Sequence, residues 1–208
     1  MNFTNLGGIG GQICFLKNVN GMWLLQQCIE ELGLSTDEST LGELLRACEA
    51  EKPPPCAVDV DNAELMVPGG MLEKLKAQLA CRSARQIDSE TRSAPKVANL
   101  ILHSLAERYA EVLADVAEIT GKKLKRLFIV GGGSRNKLLN RLTAERTGLE
   151  VIAGSTESTT IGNFALQMAA LDQGESAGVS AETVARWSER LLARDLAVSA
   201  ARQSGEGI

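Results

Sequence analysis

The stretch Leu127-Phe128-Ile129-Val130-Gly131-Gly132-Gly133-Ser134-Arg135-Asn136 decides the fold class of this chain. A short apolar run ends in three glycines, and a segment of helix-forming residues, 137–147, follows directly. This order predicts a strand, a tight turn and a helix. Glycines let a ligand lie against bare peptide groups, and the N–H groups at a helix start favour phosphates or polar base edges. The pattern therefore indicates a nucleotide-binding lobe of the α/β class.

Neither common phosphate-binding motif fits this turn. A dinucleotide-binding fingerprint would need a glycine where Asn136 stands, and no acidic residue follows a clear second strand at the usual distance. A Walker A loop needs a Gly-Lys-Ser/Thr ending, which is absent. From composition alone, a ligand-binding turn and a turn needed only for packing are equally supported.

The composition bounds the class of protein. The 208 residues are 44% hydrophobic with abundant helix formers, which favours one large helix-rich α/β domain. The net charge is −4 and the largest basic cluster, 122–126, reads as a solvated helix end, so we expect no nucleic-acid partner. No apolar run reaches 18 residues and no signal-peptide pattern opens the chain, so we expect no membrane partner and a cytoplasmic location.

Few residues suggest catalysis or metal binding. Five cysteines without a Cys-x-x-Cys pair, beside one histidine, argue against a zinc site and a disulfide scaffold. The single histidine, His103, rules out a Ser-His-Asp arrangement and is expected at the surface. Asp59 and Asp61 lack the glycine and glutamate of a calcium loop, so a solvated loop is favoured. We therefore predict no catalytic residue and no metal ligand.

Local patterns predict the remaining elements. We expect a glycine-rich hairpin over 1–18, a surface loop over 82–95 and a frayed tail over 201–208. Pro68-Gly69-Gly70 predicts a turn. Strands are expected at 13–16, 56–60, 127–130 and 150–153. Helices are expected from an Asn20 cap to Leu32, and at 40–50, 71–81, 96–119, 137–147, 161–171 (capped by Thr160) and 181–196.

Three ordered motifs resemble the second half of FGGY carbohydrate kinases. The first comprises 2–8 followed by 15–26, in which Leu-Lys-Asn-x-x-Gly-x-Trp-Leu-Leu-Gln looks like the rhamnulokinase branch. Residues 129–140 resemble the family's adenosine-binding motif, and residues 151–163 resemble its next conserved block. The match covers nearly the whole chain in the right order and spacing.

The resemblance implies a partial actin-like, ribonuclease H-like ATPase lobe, helix-rich with a central mixed sheet. Residues 1–200 would form the C-terminal nucleotide-binding lobe of a sugar kinase. Its cofactors would be ATP and, in the complete enzyme, Mg²⁺, and its substrate L-rhamnulose or a related ketose. The residues implied in nucleotide binding are Gln26, Gly131, Gly132, Gly133 and Asn136. Asn18 is implied in sugar binding.

Departures from the family pattern limit what we expect of this chain. In the family, the aspartate base, the first-lobe sugar contacts and the phosphate hairpin lie upstream of the segments that match here. We therefore expect a chain without the first lobe and without activity by itself. An alternative is a non-catalytic assembly module that forms homo-oligomers through an exposed sheet edge or cleft face. A third reading, an unrelated dinucleotide binder, conflicts with the failed fingerprint. If the kinase reading holds, the glycine turn should line the main open cleft.

Overall fold

The structure is a computed structural model that describes residues 2–80, 91, 93–173 and 178–203. Short 3₁₀ turns at Ile9–Gly11, Ala63–Met66 and Gly132–Arg135 connect its regular elements. In chain order these elements are β1 Thr4–Gly7, β2 Ile13–Leu16, α1 Trp23–Glu31, α2 Glu38–Glu49, α3 Met71–Ala80, α4 Ala94–Thr120, β3 Arg126–Ile129, α5 Lys137–Thr147, β4 Glu150–Ala153, α6 Ser158–Gln173 and α7 Ala181–Gln203.

The chain divides into two compact units, of which the larger comprises Asn18–Phe128 and Asn136–Ile152. We call it the helical unit, because α1 to α5 bury one apolar core. The middle of α4 supplies the centre of that core, where Leu100, Ile101 and Leu105 have no exposed surface. Leu24 and Leu25 of α1 and Leu75 of α3 are buried to the same degree. Apolar residues at helical spacing therefore converge on α4.

The smaller unit comprises residues up to Lys17, Ile129–Arg135 and residues from Ala153 onward. We call it the hairpin unit. Strands β1 and β2 pair antiparallel, with Thr4 opposite Leu16. The rings of Phe3 and Phe15 stack beside them at 4.6 Å between centroids. Helices α6 and α7 pack on each other, and Ala165 and Ala169 of α6 are fully buried.

Strands β3 and β4 form a second, two-stranded sheet. The Glu150 N–H donates to the Lys125 carbonyl at 3.1 Å, and the Gly154 N–H donates to the Ile129 carbonyl at 2.8 Å. These bonds advance along both strands in the same direction, so the pair is parallel. Helix α5 is the crossover that a parallel pair requires. The segment is thus a β-α-β unit, as the glycine-rich stretch predicts.

Several predicted elements are confirmed. Strands β2 and β4 and helix α5 have the predicted bounds, and β3 begins and ends one residue early. Gly33 follows α1 with φ +71°, as expected of a glycine that ends a helix, and Gly69 and Gly70 turn with positive φ. Residues 81–90 and 92 of the predicted loop, and 204–208 of the predicted tail, lie outside the described residues. Among the described helices, none has an 18-residue stretch apolar enough to cross a membrane.

Two predictions near α1 and the proline segment are wrong. Asn20 does not cap α1, which begins at Trp23 with Met22 as its N-cap residue. The Asn20 amide donates to the Val60 carbonyl instead. Residues 56–60 form no strand, because their peptide N–H groups bond to side chains of neighbouring helices rather than to another strand: Val58 to Ser104 Oγ and Asp59 to Gln78 Oε1.

The helix ends and the sheet also differ from expectation. Helix α6 begins at Ser158, two residues before the predicted Thr160 cap. Helix α4 begins at Ala94, inside the predicted loop, and α7 continues from Leu196 to Gln203, into the predicted tail. In place of a central mixed sheet, the described residues contain two separate two-stranded sheets. Each of these four strands pairs with one other strand among the described residues.

Candidate functional site

The glycine turn presents bare backbone. Gly131 has φ +77°, which favours glycine, and its N–H donates to the Ser155 carbonyl at 3.1 Å. The Ser134 hydroxyl donates to the Gly131 carbonyl at 2.7 Å and closes the turn. A Cβ added at Gly132 or Gly133 would meet no atom within 4 Å. The side-chain direction at Gly132 and Gly133 therefore faces open space, so a flat ligand can approach the turn from that side without meeting a side chain.

Gly154 explains how the turn is held beside β4. A Cβ added at Gly154 would lie 2.9 Å from Cγ1 of Val130. Such a contact is too short for real atoms, so a larger residue would require Val130 to change its rotamer or β4 to shift. Close approach therefore favours glycine at position 154, whereas packing does not require glycine at 132 or 133.

Asn136 is a helix cap with a second contact. Its Oδ1 accepts a hydrogen bond from the Leu139 N–H at 3.0 Å, which satisfies a peptide group at the start of α5. Its Nδ2 lies 3.6 Å from Met22 Sδ, and only 6% of the residue is exposed. The predicted ligand residue thus has a structural role that the sequence motif did not reveal.

Gln26 projects from the exposed side of α1, whose other side buries Leu24, Leu25 and Cys28. Met22 and Gln26 are four residues apart, so they lie on the same helix face, one turn from each other. Since Met22 contacts Asn136, the starts of α1 and α5 meet, and Gln26 stands one turn further along α1. Within the helical unit, the structure therefore brings two of the predicted amides into one neighbourhood.

Asn18 is exposed in the segment between β2 and α1. No hydrogen bond of the described residues joins its side chain to Gln26 or Asn136. The glycine turn precedes Asn136 in the chain but belongs to the hairpin unit, whereas Asn18 belongs to the helical unit. The predicted sugar residue thus remains a prediction.

A cavity of about 520 Å³ lies within the helical unit. It separates the proline segment 54–60 from α4, with Arg146 of α5 at its rim. No residue of the glycine turn lines this cavity, and the expectation that the turn lines the main cleft stays a prediction.

His103 lines this cavity and is not the surface residue we expected. Its Nδ1 is buried and has no hydrogen-bond partner among the described residues. Burial, and then the positive charge of Arg146, hold the pKa of His103 below its usual value. The ring therefore favours the neutral form. The described residues contain no group of three or more His, Cys, Asp or Glu side chains arranged to hold a metal ion.

The sequence did not predict the polar network that joins the segment before α1 to Asp61 and to Arg108 of α4. Asp61 Oδ1 accepts the Asn20 backbone N–H at 3.0 Å, and its Oδ2 accepts Arg108 Nε at 2.7 Å. Arg108 Nη1 also bonds Glu111 at 2.8 Å. Glu111 first and Asp61 second raise the pKa of Arg108, which therefore stays charged. Asp61 was expected in a solvated loop. The signal that points elsewhere is its place directly after Val60, which is fully buried.

The strand, glycine turn and helix described above fall inside a family match. The profile of the FGGY family of carbohydrate kinases, C-terminal domain, matches residues 2–171. This chain belongs to the FGGY family of carbohydrate kinases, and the matched part corresponds to the family's C-terminal domain.

Within this family, the chain is similar to several rhamnulokinases. A rhamnulokinase of Oceanobacillus iheyensis is 36% identical over 172 residues, which cover 83% of this chain and 35% of that protein. A rhamnulokinase of Bacteroides thetaiotaomicron is 35% identical over 180 residues, covering 86% of this chain and 35% of that protein. An Enterobacter rhamnulokinase is 36% identical over 174 residues, with coverage of 83% and 34%. The chain thus spans about a third of the length of these relatives.

Proposed function

We propose that this chain forms the nucleotide-binding lobe of a sugar kinase that transfers a phosphoryl group from ATP to L-rhamnulose or a related ketose, giving the 1-phosphate. The observation that carries the proposal is the parallel β3-α5-β4 unit, whose open glycine turn lies in the segment that resembles the family's adenosine-binding motif. Family membership and the names of the similar rhamnulokinases support it. The proposed architecture is a partial actin-like, ribonuclease H-like lobe.

The glycine turn would contribute backbone to this function. Gly131 sets the turn, and Gly132 and Gly133 leave their peptide groups uncovered, so that the planar adenosine can approach without meeting a side chain. The closely following start of α5 carries unpaired N–H groups and the positive end of the helix dipole. Both features suit a nucleotide.

The helical unit would contribute side-chain amides. Gln26 can donate and accept at once, as an adenine edge requires, and it has no side-chain bond among the described residues. The Asn136 amide keeps one N–H beyond its cap and its Met22 contact. Asn18 would approach the sugar. Each assignment is a proposal that follows from the motif positions.

The chemistry of the complete enzyme needs groups beyond these residues. A carboxylate must take the proton from the sugar hydroxyl, and Mg²⁺ would neutralise charge on the ATP oxygens. The described residues contain neither a Gly-Asp turn of that type nor a metal cluster. We therefore propose that this polypeptide binds nucleotide and does not phosphorylate sugar by itself. A coupled assay of ADP release with L-rhamnulose should show no sugar-dependent turnover.

An ATP titration followed by ¹H–¹⁵N NMR tests the nucleotide assignment. A few hydrogen bonds plus base burial, against the cost of immobilising the ligand, give an expected dissociation constant of roughly a millimolar. Gly132→Val places a branched side chain over the exposed peptide and should abolish the response. Gly42→Val on α2 is the matched control, because a Cβ at Gly42 also meets no atom within 4 Å. Micromolar binding that survives Gly132→Val would contradict the proposal.

A second candidate function is a non-catalytic assembly module. The exposed apolar side chains of the hairpin favour it: Leu6 is 60% exposed and Ile13 71% exposed. Surfaces of this kind often pair with another chain. Light scattering over a range of protein concentrations distinguishes the two: the lobe alone stays monomeric, whereas the module assembles. NAD compared with AMP in the same titration tests the dinucleotide reading: a dinucleotide binder should bind NAD much more tightly than AMP, whereas an adenosine site should respond to both alike.

A further inference from the structure

A partly buried polar network holds the segment that leads into α1. The carboxylate of Asp61 accepts two hydrogen bonds, one from the Asn20 backbone N–H at 3.0 Å and one from Arg108 Nε at 2.7 Å. Asn20 is itself 9% exposed, and its Nδ2 donates to the Val60 carbonyl at 3.2 Å. Its Oδ1 accepts the N–H of Gly21 at 3.0 Å. Both ends of the Asn20 side chain are therefore fixed.

The segment needs such an anchor, because it has no regular structure of its own. Residues 17–21 belong to neither β2 nor α1, and Gly21 has no side chain to restrict the backbone. The anchor is rigid on its far side, since Arg108 projects from α4, the central helix of the core. The side chains of Asp61 and Arg108 are 19% and 25% exposed, so solvent screens their interaction less than that of a surface pair.

The anchored segment is short and leads to the candidate ligand residues on both sides. Asn18 lies two residues before Asn20. Met22 lies two residues after it and contacts Asn136. Gln26 follows one helical turn later on the face of Met22. Asn20 therefore fixes the backbone two residues before Met22, one helical turn ahead of Gln26.

We propose that Asp61 and Arg108 are positioning residues for the nucleotide: through Asn20 they set the geometry of 18–26 and hold Gln26 beside Asn136. This inference rests on the proposed function. Neither residue touches the ligand in this account. A purely structural role would give the same contacts, but it would change only the stability of the fold and leave the ligand response of the folded protein intact.

The test uses the full chain with ATP as the probe. Three properties are measured on each variant: the slope of the Gln26 side-chain amide shift against ATP concentration, the hydrogen exchange of the Asn20 and Gly21 amides, and the melting temperature. Asp61→Ala removes both acceptors. We expect the slope to fall about fivefold or more, because a hydrogen bond to a charged acceptor is among the strong ones. Exchange at Asn20 should rise.

Two further variants separate positioning from simple destabilisation. Asp61→Asn keeps an acceptor for the Asn20 N–H and weakens only the pairing with Arg108, so the ATP slope should fall by about twofold to threefold, as in Arg108→Gln and less than in Asp61→Ala. A slope as low as that of Asp61→Ala would show that Asp61 does not act through the Asn20 N–H and would overturn the inference. Glu107→Gln is the matched control. It breaks the ion pair with Arg146 at 2.9 Å, one residue from Arg108, and should change neither the slope nor the exchange at Asn20.

The outcomes decide the inference. An Asp61→Ala protein that is folded, melts lower and keeps the wild-type ATP slope would overturn it and leave the proposed function intact. Should Asp61→Ala fail to fold, Arg108→Gln replaces it: the expected fall in slope is about twofold to threefold, and a wild-type slope overturns the inference. A wild-type chain with no ATP response overturns the proposed function and this inference together.

Discussion

The helical unit and the hairpin unit use similar apolar residues in opposite ways. In the helical unit, the apolar core forms one cluster, with Leu100, Ile101 and Leu105 of α4 fully buried. In the hairpin unit, Ile13 is 71% exposed and Leu171 77% exposed, and the fully buried positions of α6 are the small Ala165 and Ala169. Apolar residues alone therefore do not predict burial. The helical period collects them on one face, whereas the faces of an isolated pair of short strands remain open.

This difference separates stability from ligand contact. The helical unit has enough buried apolar surface to fold around α4, while the hairpin unit contains the uncovered backbone of Gly132 and Gly133. Elements with few buried contacts open more easily than core helices. We therefore expect perturbations of the helical unit to appear as changes in the free energy of unfolding, and most perturbations of the hairpin unit to appear as changes in binding or assembly.

Thiol labelling gives the largest contrast between the units. Cys14 on β2 is exposed, whereas Cys28 and Cys48 are buried in the helical unit. Burial, with smaller contributions from nearby glutamates, raises the pKa of each buried thiol to about 12. A pKa near 12 leaves roughly a thousandth of the thiolate fraction of an ordinary thiol, and the thiolate is the reactive form. Cys14 should therefore react with an aromatic disulfide reagent at least about a thousand times faster.

Mass-spectrometric mapping assigns each labelled thiol, and Cys14→Ser is the control that should remove the label mapped to Cys14 while the half-buried Cys56 keeps its own. Denaturant should release Cys28 and Cys48 together, because they belong to the same core. Rapid native labelling of Cys28 would break the comparison, since it would mean that the helical unit opens as readily as the hairpin.

Truncation of apolar side chains gives the next largest contrast. Leu100→Ala removes a fully buried side chain from the centre of α4 and should cost about 2–5 kcal/mol in the free energy of unfolding. Ile13→Ala removes a side chain that is 71% exposed and should cost less than about 0.5 kcal/mol. Urea unfolding measures both. A large cost for Ile13→Ala that grows with protein concentration would show that the hairpin is covered by a second copy of the chain.

The elements that the sequence predicted well depend on local signals. The β3-α5-β4 unit could be predicted to within one residue, because glycines and a change of apolar period mark its boundaries along the chain. The errors arise where distant residues compete. Asn20 has the side chain of a helix cap, but its amide donates to the Val60 carbonyl and its backbone N–H donates to Asp61, about forty positions away. The predicted strand at 56–60 is likewise tied to Ser104.

The candidate site was predictable in part. The family motifs predicted Gly131 to Gly133, Gln26 and Asn136 as ligand residues. Because glycine has no side chain, three glycines in a row suit the close approach of a flat ligand. Asn136 and Met22, which are in contact, lie 114 positions apart in the sequence. Asp61 and Arg108, which form an ion pair, lie 47 positions apart. No local pattern encodes such contacts. Their discovery requires the packing of α1, α4 and α5.

Two glycines with similar backbone geometry test whether the units respond alike. Gly131 of the hairpin unit has φ +77°, and Gly148, the C-cap of α5 in the helical unit, has φ +66°. Alanine in the left-handed region costs about 1–2 kcal/mol, so both Gly131→Ala and Gly148→Ala should destabilise by about that amount. Gly132→Ala is the control. Gly132 does not have a positive φ, and a Cβ added there meets no atom within 4 Å, so the free energy of unfolding should hardly change. Thermal unfolding provides the measurement.

A difference between these two glycines would sharpen the comparison. If Gly148→Ala lowers the unfolding transition while Gly131→Ala does not, the turn relaxes without unfolding the helical unit, and the hairpin unit opens separately. A neutral result at both positions would show that the backbone conformation assigned to the turn is wrong. The peptide groups proposed to meet the nucleotide would then have to be reassigned.

The smallest expected effect is the pH dependence of the α2 cap. Hydrogen bonds from the Ser35 side chain, and then from the backbone and hydroxyl of Thr40, lower the pKa of Asp37 from 3.8 to about 2. Because the folded pKa lies below the unfolded one, the charged cap stabilises the folded state above about pH 4. That contribution is lost as the pH falls from about 4 towards 2. Asp37 is fully exposed, so the effect is small and screened by salt.

The measurement is the urea midpoint of wild type and Asp37→Asn from pH 2 to 6. Asn keeps an acceptor for the Thr40 N–H but cannot titrate, so the difference between the two proteins should be present at pH 5 to 6 and vanish near pH 2. Ser35→Ala removes the largest cause of the shift, so its loss of stability should begin at a higher pH than in wild type. A difference that persists unchanged at pH 2 would show that the titrating charge of Asp37 does not stabilise α2, and that its shape as a cap is sufficient.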